Sequence, residues 1–181
     1  MFRSQKPVQN EEVMNVIQNI PQRSLTGMWL ITTYHNTILT WLDSLVQNYL
    51  YSLNYRYYPI YPPTFLDDYS QWWNDRIAGR QLSPEFTCLL LRVCACSSQS
   101  LTTTMQQHLE FELAESAQNL TERFHRAAEK LSSSFSPGQG GLAQVQQLFL
   151  TATWYKSEGL IVEGWHALSA SIKVAQELCK W

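Results

Sequence analysis

Apolar side chains recur every three to four residues through most of this chain, the spacing that lays one stripe along an α-helix. Val13, Val16, Ile17 and Ile20 make the first stripe, a short amphipathic helix stopped by Pro21. A longer stripe follows through Ile31, Tyr34, Ile38, Trp41, Leu42, Leu45 and Tyr49, running down near Tyr55 to Tyr58 ahead of Pro59. In Tyr58-Pro59-Ile60-Tyr61-Pro62-Pro63 each proline pushes its predecessor toward extended geometry, so this segment is expected to be non-helical. Thr64 with Asp67 has the spacing of an acidic capping box and is expected to open the next helix. That helix carries Phe65, Tyr69, Trp72 and Trp73 to near Gly79, with Asp67 and Asp68 in a first turn whose dipole favours acids.

Ser83-Pro84-Glu85 combines a cap, a proline at the first turn and an acid at the positive helix end. Phe86, Leu89, Leu90, Val93, Cys94 and Leu101 follow, apolar on more than one face, which predicts a central helix. Leu109, Leu113, Ala117, Leu120, Phe124, Ala127 and Leu131 then predict one long amphipathic helix whose stripe faces the core. Ser132 to Gly141 is rich in serine and glycine and reads as a flexible loop. Leu142, Val145, Phe149 and Ala152 mark one closing helix, and Ile161, Trp165, Leu168, Ile172 and Ala175 mark another, with Gly159 in the turn between. Strand signals are nearly absent. The expected fold is all-α, a multi-helix bundle of antiparallel helix pairs, in a single domain over 1–181. Its parts are an N-terminal helical extension (1–22), a first helical part (23–131), the loop (132–141) and an incomplete C-terminal helix pair (142–181).

Charge narrows the range of partners. Thirteen basic residues against 15 acidic ones leave a net charge of −2. The closest basic cluster, Arg123, Arg126 and Lys130, is interleaved with Glu122 and Glu129, so no unopposed face is expected to attract phosphates. Seven tryptophans within 13% aromatic residues predict a core or ligand cavity rich in rings. A candidate cavity would draw on Tyr34, Trp41, Tyr58, Trp73 and Trp165, although buried structural rings explain the same enrichment. Cys88, Cys94 and Cys96 lie in one apolar stretch and read as small hydrophobes, while Cys179 is far away and no Cys-x-x-Cys occurs. The N-terminal residues lack the apolar core of a signal peptide, and no run is long enough to span a membrane.

Catalytic chemistry finds no foothold in these patterns. His108 with Glu112 and His125 with Glu129 share helical faces, but both pairs fall off the apolar stripe and read as solvated. His166 reads as an exposed or satisfied histidine. Gly138-Gln139-Gly140-Gly141 lacks the preceding strand and the lysine of a phosphate loop, so a linker is expected. No catalytic residue, metal ligand or cofactor site is assigned.

Two stretches are more specific than composition. Tyr58-Pro59-Ile60-Tyr61-Pro62-Pro63-Thr64-Phe65 leads into an aromatic helix, and Val145-Gln146-Gln147-Leu148-Phe149-Leu150 precedes Gly159 and the run Trp165-His166-Ala167-Leu168 to Ala175-Gln176-Glu177-Leu178. Together, and in this order, they resemble the middle homology region of fungal zinc-cluster transcription factors, the fungal-specific transcription factor domain of xylanolytic-activator type. The resemblance runs from about Leu45 to Leu178. It implies that Pro59, Pro62, Pro63 and Phe65 build a rigid turn, that Gly159 allows a tight helix link, and that Trp165 and Ala175 belong to the helix packing. Ala170 and Ala175 are expected to let helices approach closely.

That family carries an upstream zinc cluster held by six cysteines, which this sequence lacks, so no zinc and no direct DNA binding are expected. The family also continues with further helices where this sequence reads Cys179-Lys180-Trp181. An end cut before the family's usual one would leave an exposed apolar patch around Trp165, Ile172 and Trp181, inviting self-association through the C-terminal helix pair. The resemblance implies a nuclear, non-enzymatic regulator of RNA polymerase II transcription, acting through co-regulators, other protein partners or a small metabolite. The alternative is a helical interaction scaffold with no transcriptional role.

Overall fold

The computed structural model describes residues 41–136 and 138–179, together with all their side chains but that of Glu112. The Val13–Ile20 helix, Ile31, Tyr34, Ile38 and Trp181 lie outside the described residues. Within them the chain forms seven α-helices: α1 (Trp41–Asn48), α2 (Pro62–Ile77), α3 (Pro84–Ser98), α4 (Thr103–Leu113), α5 (Ala117–Ser132), α6 (Gly141–Ser157) and α7 (Ile161–Leu178). No strand occurs among the described residues. The all-α architecture expected from periodicity is the one observed. None of the described helices is long and apolar enough to cross a membrane.

α3 is the axis of the fold. Ser83 caps it by accepting from the Phe86 N–H at 3.2 Å, and Pro84 occupies the first turn, where its missing N–H is no loss. Every residue from Phe86 to Ser98 is buried. α5 packs against it antiparallel: Cys88 lies against the carbonyl of Ala128, Arg92 meets His125, and Thr121 donates to the carbonyl of Ala95 at 2.7 Å. α6 runs parallel to α3, with Cys88 near Gln147, Cys96 donating to Leu150, and Gln99 donating to Trp154. α1 closes a further side through Asn48, whose amide donates to the Ser97 hydroxyl at 3.0 Å.

Leu109, Ala117, Leu120, Phe124, Ala127 and Leu131 are buried as expected, with Leu113 partly buried against the core. They do not belong to one helix. Ala114 adopts φ 50, and Ser116 starts a new helix by accepting from the Asn119 N–H at 3.2 Å. Glu110 reinforces the break, since its carboxylate accepts from the Ala117 N–H at 2.9 Å. Those two acceptors satisfy N–H groups at the start of α5 and let it turn onto α3 independently of α4.

The start of α2 also differs from expectation. Tyr61, not Thr64, is the N-cap, and Pro62 and Pro63 form the first turn instead of standing outside the helix. A proline already has helical φ and lacks an N–H that would go unpaired there. Asp67 and Asp68 therefore fall beyond the first turn, away from the dipole's end. Gly79 ends α2 at φ 64, with Arg80 N–H returning to the Asp75 carbonyl.

α6 and α7 form an antiparallel hairpin. Gly159, at φ 78, makes the left-handed step after α6, and the N–H groups of Gly159 and Leu160 return to the carbonyls of Lys156 and Tyr155. Close approach comes from Gly164 more than from the alanines: a Cβ there would meet the Ala152 carbonyl oxygen at 3.3 Å. Ala170 and Ala175 are half-buried, and Ser171 donates to the Val145 carbonyl at 3.0 Å. With small residues turned inward, the bulky ones face out: Ile161 is 53% exposed, Trp165 66% and Ile172 50%.

Leu120, fully buried, should be expensive to truncate. Leu120→Ala should lower unfolding free energy by about 2–5 kcal/mol, whereas Ile172→Ser should change it by no more than about 0.5 kcal/mol. Urea denaturation followed by circular dichroism checks both. A cost at position 172 like that at 120 would show that the outer face of α7 is covered in solution.

Candidate functional site

The proline segment is held as a rigid turn between α1 and α2. Beyond Asn48 the chain runs through a wide π-helical turn, Tyr49–Leu53, and a tight one, Asn54–Arg56. Asn54 is buried, and its side chain accepts from the Ile60 N–H at 3.2 Å while donating to the Ile60 carbonyl at 2.8 Å. Tyr58 takes the left-handed φ of 49, which is unusual for a ring-bearing residue, and its N–H bonds to the Asn54 carbonyl at 2.7 Å. From the far side Gln146 of α6 donates to the Pro59 carbonyl at 2.9 Å. Ile60 and Phe65 plug the core behind the turn. The motif residues Pro59, Pro62, Pro63 and Phe65 therefore lie together, as one structural unit.

Beside this unit is a cleft of about 620 Å³. One face of α2 forms its long wall, presenting Tyr61, Thr64, Phe65, Asp68, Gln71, Trp72 and Asp75 at helical spacing. Glu85, Phe86 and Leu89 from the start of α3 form the opposite wall, and Leu142, Ala143 and Gln146 of α6 close the end. Among the described residues, three carboxylates line the cleft and no lysine, arginine or histidine does.

The proposed ring cavity is distributed differently. Trp41 lies in the core against Phe124, with centroids 5.8 Å apart, and Trp73 is buried edge-on to Trp72 and Tyr69. Tyr58 and Trp165 are mostly exposed, Tyr34 lies outside the described residues, and none of the four described rings lines the cleft. Neighbouring rings have their polar tips satisfied: Trp72 donates to Thr87 at 3.0 Å and Tyr69 to Asp43 at 2.7 Å. Burial first, and Asp43 second, hold the Tyr69 hydroxyl well above its ordinary pKa.

A second polar cluster went unread in the sequence. His125, expected on a solvated face, is buried between α3 and α6, and Arg92 is buried beside it. Arg92 Nη1 lies 2.7 Å from His125 Nδ1. A guanidinium only donates, so Nδ1 accepts and the ring's proton sits on Nε2. The His125 ring stacks on Trp154 at 3.6 Å between centroids, and Trp154 donates to Thr121. Burial, then Arg92 and Arg126, lower the His125 pKa to about 3. Burial likewise lowers that of Arg92, which stays charged. The usable signal was α3 itself: a helix without a polar face must bury its arginine, and the buried guanidinium then needs an acceptor on a neighbouring helix. His108 and His166 are exposed.

The three buried thiols are similarly inert. Burial pushes Cys88 up to about 12 and Cys96 up to about 11, and raises Cys94 as well. A thiol so far from ionising is a poor nucleophile and metal ligand. No group of three metal-ligating side chains occurs among the described residues.

His125 makes stability depend on pH in a definite direction. Its folded pKa lies below the unfolded value near 6.5, so the unfolded chain binds the proton more readily. The resulting contribution is present above about pH 6.5 and is lost progressively toward pH 3. The melting temperature should therefore fall between pH 7 and 5, and His125→Gln should flatten that fall. Equal slopes in both proteins would show that His125 does not titrate on unfolding.

Comparison with known proteins places the chain beside two regulators. It is 27% identical over 139 residues to the probable transcription factor sol4 of Alternaria solani, covering 76% of this chain and 25% of that protein. It is 29% identical over 142 residues to the transcription factor xilB of Penicillium rubens, covering 75% of this chain and 20% of that protein. The chain thus spans between a fifth and a quarter of the length of these curated relatives. No protein-family model matches it, and no solved structure does. Across three quarters of its length, then, this helical chain is similar to parts of two fungal transcription factors.

Proposed function

We propose that the chain is the regulatory region of a fungal transcription factor of the zinc-cluster, xylanolytic-activator type, working in the nucleus on RNA polymerase II transcription without catalysis. The observation that carries this reading is the similarity to two fungal transcription factors over three quarters of the chain. The rigid proline turn and the α6–α7 hairpin, which bear the motif residues, are consistent with it. Control would pass through a protein partner or a small metabolite, not through DNA contacts made by these helices. In support, the densest basic cluster is neutralised locally: Arg123 pairs with Glu115 at 2.9 Å and Arg126 with Glu122 at 3.0 Å. Phosphate affinity needs positive charge that is not already paired.

The alternative, an interaction scaffold with no transcriptional role, draws on the exposed apolar side chains of α7 and on Tyr51, Tyr55, Tyr57, Tyr58 and Tyr61, all mostly exposed. Tyrosine-rich surfaces suit protein contacts. Self-association through α7 belongs to either reading.

Fusing the chain to an unrelated DNA-binding domain in a fungal cell separates the two. Reporter transcription should rise or fall severalfold relative to the DNA-binding domain alone. A nuclear, stably expressed fusion that leaves the reporter unchanged would favour the scaffold. In a mobility-shift assay at moderate salt the chain by itself should show no sequence-preferring duplex binding, and tight site-specific binding would refute the assignment of regulation without DNA contact.

A further inference from the structure

We infer that the cleft between α2, α3 and α6 binds a small organic cation, an ammonium group carried on an apolar body. Its volume, about 620 Å³, lies within the range of small-molecule sites. Phe65, Trp72, Phe86 and Leu89 give it a buried apolar floor. The one side-chain hydrogen-bond donor on this floor, the Trp72 N–H, is committed to Thr87. A buried acceptor on the ligand would find no partner there, so the part that enters should be hydrocarbon.

The rim has the opposite character. Asp75 is neutralised by Arg80, whose Nη2 lies 2.7 Å away. Asp68 has no ion-pair partner among the described residues, and Glu85 takes only the Ser83 hydroxyl, at 3.0 Å. Among the described residues, two uncompensated carboxylates therefore stand over an apolar floor and no cation lines the cleft. A ligand carboxylate is repelled, a neutral group gains only area, and an ammonium gains both area and charge.

Three probes with the same body separate these terms: phenylbutylamine, phenylbutanol and phenylbutyrate. Each is titrated into the full chain by nitrogen-edited NMR, with the Trp72 indole N–H as reporter, and by calorimetry. The amine should bind most tightly, the alcohol more weakly and the carboxylate weakest, and added salt should narrow the gap. Asp68→Asn with Glu85→Gln should weaken the amine about tenfold, as two partly exposed charge contacts allow, and leave the alcohol unchanged. Asp68→Asn alone, at an exposed position, gives an intermediate loss without risk to the fold. Equal affinity for amine and alcohol, indifference to both substitutions, or no shift at Trp72 would overturn the assignment. So would binding of a lysine-rich amphipathic peptide with none of the amine, which would make the cleft a peptide groove. Because binding is read directly, its failure leaves the transcriptional reading standing, and a silent reporter leaves the cleft's chemistry untouched.

Discussion

Thirteen consecutive residues of α3, Phe86 to Ser98, are withdrawn from water, and the remaining helices are arranged to make that possible. A helix apolar around its whole circumference cannot sit at a surface, so it needs cover on every side. α5 and α6 supply two flanks, α1 a third, and α2 reaches the first turns through Trp72 on Thr87 and Phe65 on Phe86. Small thiols at Cys88, Cys94 and Cys96, all buried, let the covering helices come close.

Such complete burial favours partners inside the protein for the polar atoms near α3, because an unmet buried donor or acceptor is destabilising; Arg92 Nε, Trp41 Nε1 and Trp73 Nε1 are the exceptions. The partners come as short relays between helices. Trp154 donates to Thr121, whose own hydroxyl donates to the Ala95 carbonyl; Trp72 donates to Thr87, which donates to the Ser83 carbonyl. Arg92 is the severest case, a buried charge met by the neutral ring and carbonyl of His125 instead of a carboxylate. These relays also orient the surface. Gln146 reaches the proline turn from α6, and that contact helps fix the closed end of the acid-rimmed cleft.

Function is written more faintly than fold because the motif residues serve packing. The proline turn and the Gly159 link are packing devices, and a packing device is equally at home in a regulator or a scaffold. The cleft was illegible for a related reason. Its lining comes from the turn after α1 and from α2, α3 and α6, and residues such as Asp68 and Glu85 read individually as ordinary helix-surface acids. Only their shared position over Phe65 and Phe86 gives them a joint character.

The sequence by itself determined the all-α class, the central place of α3, the stripe Leu109–Leu131 as core, the Ser83 cap and the Gly79 and Gly159 stops. Each of these rests on forces acting within a few residues: helical periodicity, capping, and the left-handed φ that glycine tolerates. Tertiary structure decided the rest. It split the long stripe at Ala114, where Glu110 and Ser116 stabilise a second helix start, and it drew Pro62 and Pro63 into α2. It turned His125 from the solvent to Arg92, and it put Gly164 and Ser171 inward so that Trp165 and Ile172 face out. In each case local pattern left two arrangements open, and packing against the neighbouring helices chose between them.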